Sequence, residues 1–247
     1  MMTNSQQLTT GDVDSETLAA ILNMIEGGSS SVNELVEALQ GQTEDLHDIV
    51  ALTILGEMGD QRALEPLLKA LKHPQMDVRR SAAAALGYLK DTRAVPELIA
   101  LLYDIESPVR GSAAQALGQL GDARAVDALV VRLWDSDSWV RQSTAQALGR
   151  LRSKEAVEPL LAALYDEAGW VRQAAAIALG DIRDIRATDA LVDALHDSSA
   201  NVRSAAAEGL GLLGNPDASE ALVQALTDEN TGVRKAAYAA LKSLGEV

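Results

Sequence analysis

Apolar and polar positions along the chain fall into two alternating patterns. The first, as in Ala63-Leu64-Glu65-Pro66-Leu67-Leu68-Lys69-Ala70-Leu71, sets apolar residues at i, i+3 or i+4 and i+7. Such spacing over about eleven residues predicts a helix with one buried stripe. Pro66, Pro96 and Pro159 stand near the start of these stretches, where a missing N–H costs little. The second pattern runs from Val78-Arg79 to Leu89, with Val78, Ala82, Leu86 and Leu89 on one face. Its small residues Ala82, Ala83 and Gly87 predict close approach of neighbouring helices. Each such helix should stop at a left-handed residue before the Asp. Gly fills that place at 59, 121, 214 and 245, and Lys90, Arg152 and Arg183 fill it elsewhere at about 1 kcal/mol each. No stretch reads as a strand.

The two patterns recur together. Val-Arg appears at Val78-Arg79, Val109-Arg110, Val140-Arg141, Val171-Arg172, Val202-Arg203 and Val233-Arg234, always 31 residues apart. Leu-Gly keeps the same step at 86, 117, 148, 179 and 210, with Leu241-Lys242 as the last copy. Six units fill residues 62–247. Residues 31–61 read as a degenerate unit that keeps Leu55-Gly56 but has His47-Asp48 in place of Val-Arg. Residues 1–30 read as an acidic tail with a short capping helix from Ser15 to Glu26, apolar at Leu18, Ile21, Leu22 and Ile25. A helix pair of this length cannot bury its apolar faces alone. Pairs must stack, at roughly 8–10 Å per layer, into an all-α solenoid.

The pattern Asp-x4-Val-Arg-x2-Ala-Ala-x-Ala-Leu-Gly, with Pro in the preceding helix, resembles the HEAT repeat. The 31-residue form is similar to the short HEAT-like repeats of phycobilisome lyase-type proteins. This resemblance implies a right-handed α-solenoid, with the Val-Arg helix lining the concave side. It also implies a structural ladder between successive units. The rungs would use Asp104, Asp135, Asp166, Asp197 and Asp228 with Arg79, Arg110, Arg141, Arg172, Arg203 and Arg234. His73 departs from the Asp pattern and puts the first rung in question.

Charge divides the chain. Residues 1–60 hold eleven acids and no Lys or Arg, leaving 25 acids and 21 bases for the remainder. A total of −15 argues against a duplex nucleic-acid binder, whose affinity rests on cations at phosphates. The absence of Cys excludes a disulfide framework and a thiol nucleophile. No apolar run reaches the roughly 18 residues of a membrane span, and Met1 to Asp14 lacks the order of a signal peptide, so a cytoplasmic location is expected.

Candidate chemistry is sparse. His47, His73 and His196 lie on separate units without metal-ligand spacing, and no His-Glu pair occurs, so no metal site is expected. Gly27-Gly28-Ser29-Ser30-Ser31 lacks the Lys of a phosphate loop. No catalytic set is evident. A second recurring series, Tyr103, Trp134, Tyr165 and His196, ends the first helix of successive units and is expected to seal the seams between layers.

On the second helix, the positions equivalent to 77, 80, 81, 84 and 88 change from unit to unit, while the core positions do not. This stripe is expected to face outward and line the concavity. Its candidate partner-binding residues are Arg80, Tyr88, Trp139, Gln142, Gln146, Arg150, Trp170, Gln173, Ile177 and Asp181. Trp139 and Trp170 share one position in consecutive units. Trp flanked by Gln and Arg has the composition of a binding hot spot. The reading is a non-enzymatic protein-binding scaffold with no cofactor.

The resemblance supplies an alternative: a subunit like the E/F-type phycobilin lyases or the phycobilisome-degradation factors. Such proteins hold an open-chain tetrapyrrole, a phycobilin, often as heterodimers of HEAT-like subunits, and pass it to a Cys of a phycobiliprotein. In that case the activity would be bilin attachment or detachment. Arg80 and Arg150 would clamp the propionates beside a Trp wall.

Overall fold

The computed structural model describes Leu52 and residues 54–246. The acidic tail, its capping helix and most of the degenerate unit lie outside the described residues. Each 31-residue unit begins with a one-turn 3-10 segment, continues into a seven-residue helix and ends in a fourteen-residue helix. Unit one holds α1 (Leu64–Ala70) and α2 (Met76–Leu89), and unit two holds α3 (Val95–Leu101) and α4 (Ser107–Leu120). Unit three holds α5 (Val126–Arg132) and α6 (Ser138–Leu151), and unit four holds α7 (Val157–Ala163) and α8 (Gly169–Ile182). Unit five holds α9 (Thr188–Ala194) and α10 (Ala200–Leu213), and unit six holds α11 (Ser219–Ala225) and α12 (Thr231–Leu244). No strand occurs among the described residues.

The first apolar pattern thus divides into a 3-10 turn and a short helix. In most units a polar side chain before the turn helps close it. Asp60, Asp91, Asp122, Asp184 and Asn215 each accept the backbone N–H two residues on, while the turn after Ser153 forms without such a bond. The long helices end as their sequence predicts. Gly59, Gly121, Gly214 and Gly245 have φ between 64° and 81°, and Lys90, Arg152 and Arg183 adopt φ of 59°, 51° and 57°.

Each long helix packs along the next long helix, and each short helix packs mainly on its own long helix. The long-helix row is therefore the more closely spaced layer. Glycine makes this spacing possible. A Cβ at Gly118 would lie 2.7 Å from the Ala147 Cα, and one at Gly149 would lie 2.8 Å from the Ala178 Cα. The same holds for Gly56 against Ala85, so helical residues 54–58 take the place of a preceding long helix. Inside, Leu86, Leu117, Leu148, Leu179 and Leu210 are fully buried and join one continuous cluster. The architecture is an α-solenoid. Thr144 is the exception to a column of buried alanines (Ala82, Ala113, Ala175, Ala206 and Ala237), and its hydroxyl has no hydrogen-bond partner.

Candidate functional site

The Asp–Arg series forms a ladder in which each Arg reaches the Asp of the following unit. Arg79 donates from Nε and Nη2 to Asp104 at 2.8 and 2.9 Å. Arg110 reaches Asp135 at 2.8 and 2.7 Å, and Arg141 reaches Asp166 at 2.6 and 3.0 Å. Arg172 to Asp197 and Arg203 to Asp228 repeat this fork at 2.7 and 2.9 Å. The remaining Nη1 of each donates to carbonyls of its own unit's loop, as in Arg141 to Asp135 O at 2.9 Å. One side chain therefore ties a loop shut and locks it to the next layer.

Burial is the largest influence on the carboxyls of Asp104 and Asp135 and pushes them up. The guanidinium bond, a backbone N–H bond and the nearby Arg charges together outweigh it and hold both below the usual carboxylate range. In Asp197 and Asp228 the guanidinium bond is the larger influence, and the shift is again down.

The first rung is intact, because Arg79 pairs forward with Asp104. His73 takes over only the second task of the Asp, accepting the Gln75 N–H on Nδ1 at 3.2 Å. Among the described residues Arg234 makes no such fork and bonds Asp228 O, Glu229 O and Thr231 Oγ1.

A second set of pairs escaped the sequence reading. Asp60–Arg62, Asp91–Arg93, Asp122–Arg124 and Asp184–Arg186 pair within one turn at 2.6–3.0 Å. Several reach back a full unit, as Arg124 does to Thr92 O at 3.0 Å. The Asp-x-Arg-Ala string recurring at 31 residues was the available signal.

On the long-helix face, Trp139 is 37% exposed and Trp170 is 54% exposed. Arg80, Tyr88, Arg150 and Ile177 are exposed, and Gln142, Gln146, Gln173 and Asp181 are half-buried. Arg80 pairs with Asp77 at 3.2 Å. The stripe is narrower than expected. Ser112, Ser143, Ala174, Ala205 and Ala236, at the position of Ser81, are buried. Each long helix meets neighbours on both flanks as well as its own short helix, so only a thin band remains open. Side chains in that band also lean onto the preceding unit. Trp139 lies over Gly111, and Leu212 lies near Gly180.

The aromatic series on the short helices is not sealed. Tyr103, Trp134, Tyr165 and His196 are all exposed. Clefts open beside them, of about 400 Å³ between Trp134 and Tyr165 and about 430 Å³ between Tyr165 and His196. No group of His, Asp and Glu among the described residues could hold a metal ion. No described helix is long and apolar enough to cross a membrane.

A family model of HEAT repeats matches residues 32–117, 65–147, 132–200 and 188–247. The chain belongs to the HEAT-repeat family. No curated protein matches it. Among solved structures it is similar to the complex of CpcE and CpcF of phycocyanin lyase from Nostoc sp. PCC7120. Identity there is 25%, the TM-score is 0.57, and the match covers 99% of this chain and 92% of that one. It is also similar to YibA of Escherichia coli, at 19% identity and TM-score 0.69 over 96% of this chain and 90% of that one, a likeness of fold. An engineered protein matches at 26% identity and TM-score 0.58, covering 74% of this HEAT-repeat chain and 99% of its own.

Proposed function

We propose that this HEAT-repeat protein is a non-enzymatic scaffold that grips a protein partner on its long-helix face, centred on Trp139 and Trp170. The observation that carries the reading is the pair of indoles at one position of consecutive units, both open to solvent. Gln142, Gln146, Arg150 and Gln173 stand on the same two long helices, and a large apolar ring kept in contact with water gains from being covered. The likeness to the CpcE–CpcF complex supports a second HEAT-like subunit as the partner class. The test replaces both Trp139 and Trp170 with Ala, then compares melting temperature and recovery of a partner by the tagged chain. Loss of the partner with melting largely kept supports the site. A partner retained by the double variant places the contact elsewhere.

The same likeness favours a second reading, a bilin-handling subunit acting on phycobiliproteins. Arg80 and Arg150 would then bind propionates, and Arg80 would exchange its Asp77 partner to do so. Mixing the chain with phycocyanobilin at micromolar concentration tests it. A visible absorbance shift that Arg150→Ala reduces supports this reading, and an unchanged spectrum removes it.

A further inference from the structure

We propose that the cleft between α5 and α7 is a binding site for an arginine side chain of a partner polypeptide, separate from the long-helix face. The chain itself carries the occupant of one such seam. Arg132, Ala163 and Ala194 hold one position in consecutive units, at the end of α5, α7 and α9. Ala163 lines the cleft of about 400 Å³ between Trp134 and Tyr165, and Ala194 lines the cleft of about 430 Å³ between Tyr165 and His196. Arg132, one unit earlier, turns its side chain back onto the preceding unit. Its guanidinium carbon lies 4.7 Å from the centre of the Tyr103 ring. Its Nη1 donates to Asp135 at 3.4 Å, and its Nε has no hydrogen-bond partner. An aromatic face and one carboxylate therefore hold this cation.

Both of those groups recur one unit on. Trp134 takes the place of Tyr103, and Asp166 takes the place of Asp135. Both line the cleft between α5 and α7. Trp134 is 63% exposed, and indole is the aromatic face that a cation prefers. The ring and the carboxylate are thus kept, while Ala163 supplies no cation to cover them. The cleft of about 210 Å³ between α1 and α3 sets the contrast. Lys72 and Leu101 occupy the positions of Tyr103 and Arg132 there, so the preceding unit offers a cation no ring.

The ion pairs favour the same occupant. At the seam that Arg132 fills, two guanidiniums, Arg110 and Arg132, meet one carboxylate, Asp135. At the next seam one guanidinium, Arg141, is shared by two carboxylates, Asp166 at 2.6 Å and Glu167 at 3.2 Å. Ser136 stands at the position of Glu167 in the earlier unit. A cation arriving beside Trp134 gives each of these carboxylates a guanidinium of its own.

Arginine suits the place better than lysine. A planar guanidinium stacks flat on a ring while it donates from its edge to a carboxylate, and an ammonium does not. A residue within a polypeptide also suits it better than the free amino acid, which would bring its own carboxylate toward Asp166 and Glu167.

The test uses the whole chain labelled with nitrogen-15, whose 3 tryptophans each give one indole N–H signal in the NMR spectrum. The probe is the peptide acetyl-Gly-Ser-Arg-Ser-Gly-amide. Its addition should shift the Trp134 signal to saturation at roughly millimolar concentration and leave those of Trp139 and Trp170 in place. A peptide with citrulline, uncharged and of the same shape, should bind on the order of tenfold more weakly, and one with lysine should fall between the two. Glu167→Gln should weaken the arginine peptide. Ala163→Arg brings a guanidinium of its own, so it should melt no lower than the parent and abolish the response. An unmoved Trp134 signal overturns the proposal. So does citrulline or free arginine binding as well as the peptide, an Ala163→Arg chain that is destabilised, or one that still binds. The response should persist in Trp139→Ala with Trp170→Ala, which keeps this site apart from the long-helix reading.

Discussion

The indole of Trp139 lies so closely on Gly111 of the preceding long helix that a Cβ at residue 111 would sit 1.9 Å from Cζ3. The position of Gly111 carries Arg80, Gln142, Gln173, Ser204 or Lys235 in the other units. Glycine therefore stands where the next unit brings a tryptophan down onto it. Trp170 follows Gln142 in the same register and is the more exposed indole. The two residues share a face, but Trp139 also ties two layers together.

Gly111→Ala should therefore lift the Trp139 ring. We expect a red-shifted tryptophan emission and a stability loss of about 1–3 kcal/mol from overpacking. Adding Trp139→Ala should remove most of that extra loss, because the two changes act on one contact. An unmoved emission maximum in Gly111→Ala would show that the ring does not rest there.

Arg141→Ala should cost far more than Arg234→Ala. The first strips a fork from Asp166 and frees two loop carbonyls, leaving a mostly buried carboxylate uncompensated, at about 3–5 kcal/mol. The second makes no fork to a neighbouring Asp among the described residues and loses bonds within its own loop, about 1 kcal/mol. Urea unfolding of both variants gives the comparison, and equal losses would contradict a ladder built between units.

Acid should weaken the fold only at low pH. Asp60 and Asp184 are held at about 2 by their Arg partners, and Asp104, Asp135, Asp197 and Asp228 are also lowered. A carboxyl lowered in the folded chain stabilises it above the unfolded value of about 3.9, and that contribution is lost as pH falls through the folded value. Relief of the −15 charge toward the pI of 4.5 works in the opposite direction. The melting temperature should hold or rise from pH 7 to 5 and fall steeply between pH 4 and 2. A fall already present at pH 5 would mean that other groups control it.

Arg152→Gly and Arg183→Gly should each stabilise by about 1 kcal/mol, since both residues hold a left-handed backbone. Lys90→Gly should gain less, because Lys90 Nζ donates to Gln119 O at 2.6 Å and that bond would go. Thermal melts of the three single variants order them. A destabilised Arg183→Gly would count against strain at that turn.

Much of this was written along the chain. The period, the helix pairs, the left-handed stops and the Asp and Arg of each rung are local or repeat at one step. Side chains that recur in register meet the same neighbour in every unit. The direction of each rung was not legible, because an Arg flanked by two equivalent Asp residues has no sequence mark for the one it reaches. For the same reason His73 seemed to endanger a rung that Arg79 makes with Asp104. The capping pairs such as Asp122 with Arg124 were legible as a string but not as a bond reaching Thr92.

The sequence by itself determined that paired helices of fixed length must stack, since neither helix can bury its stripe alone. Only the tertiary structure decided which side chains the stack leaves uncovered. Ser143 and Ala174 vanish between long helices spaced at glycine distance, while Tyr103, Trp134 and Tyr165 stay open between short helices that scarcely touch. Periodicity assigns a residue to a face. The distance between neighbouring layers on that side decides whether the face is closed or free, and no pattern within one unit contains that distance.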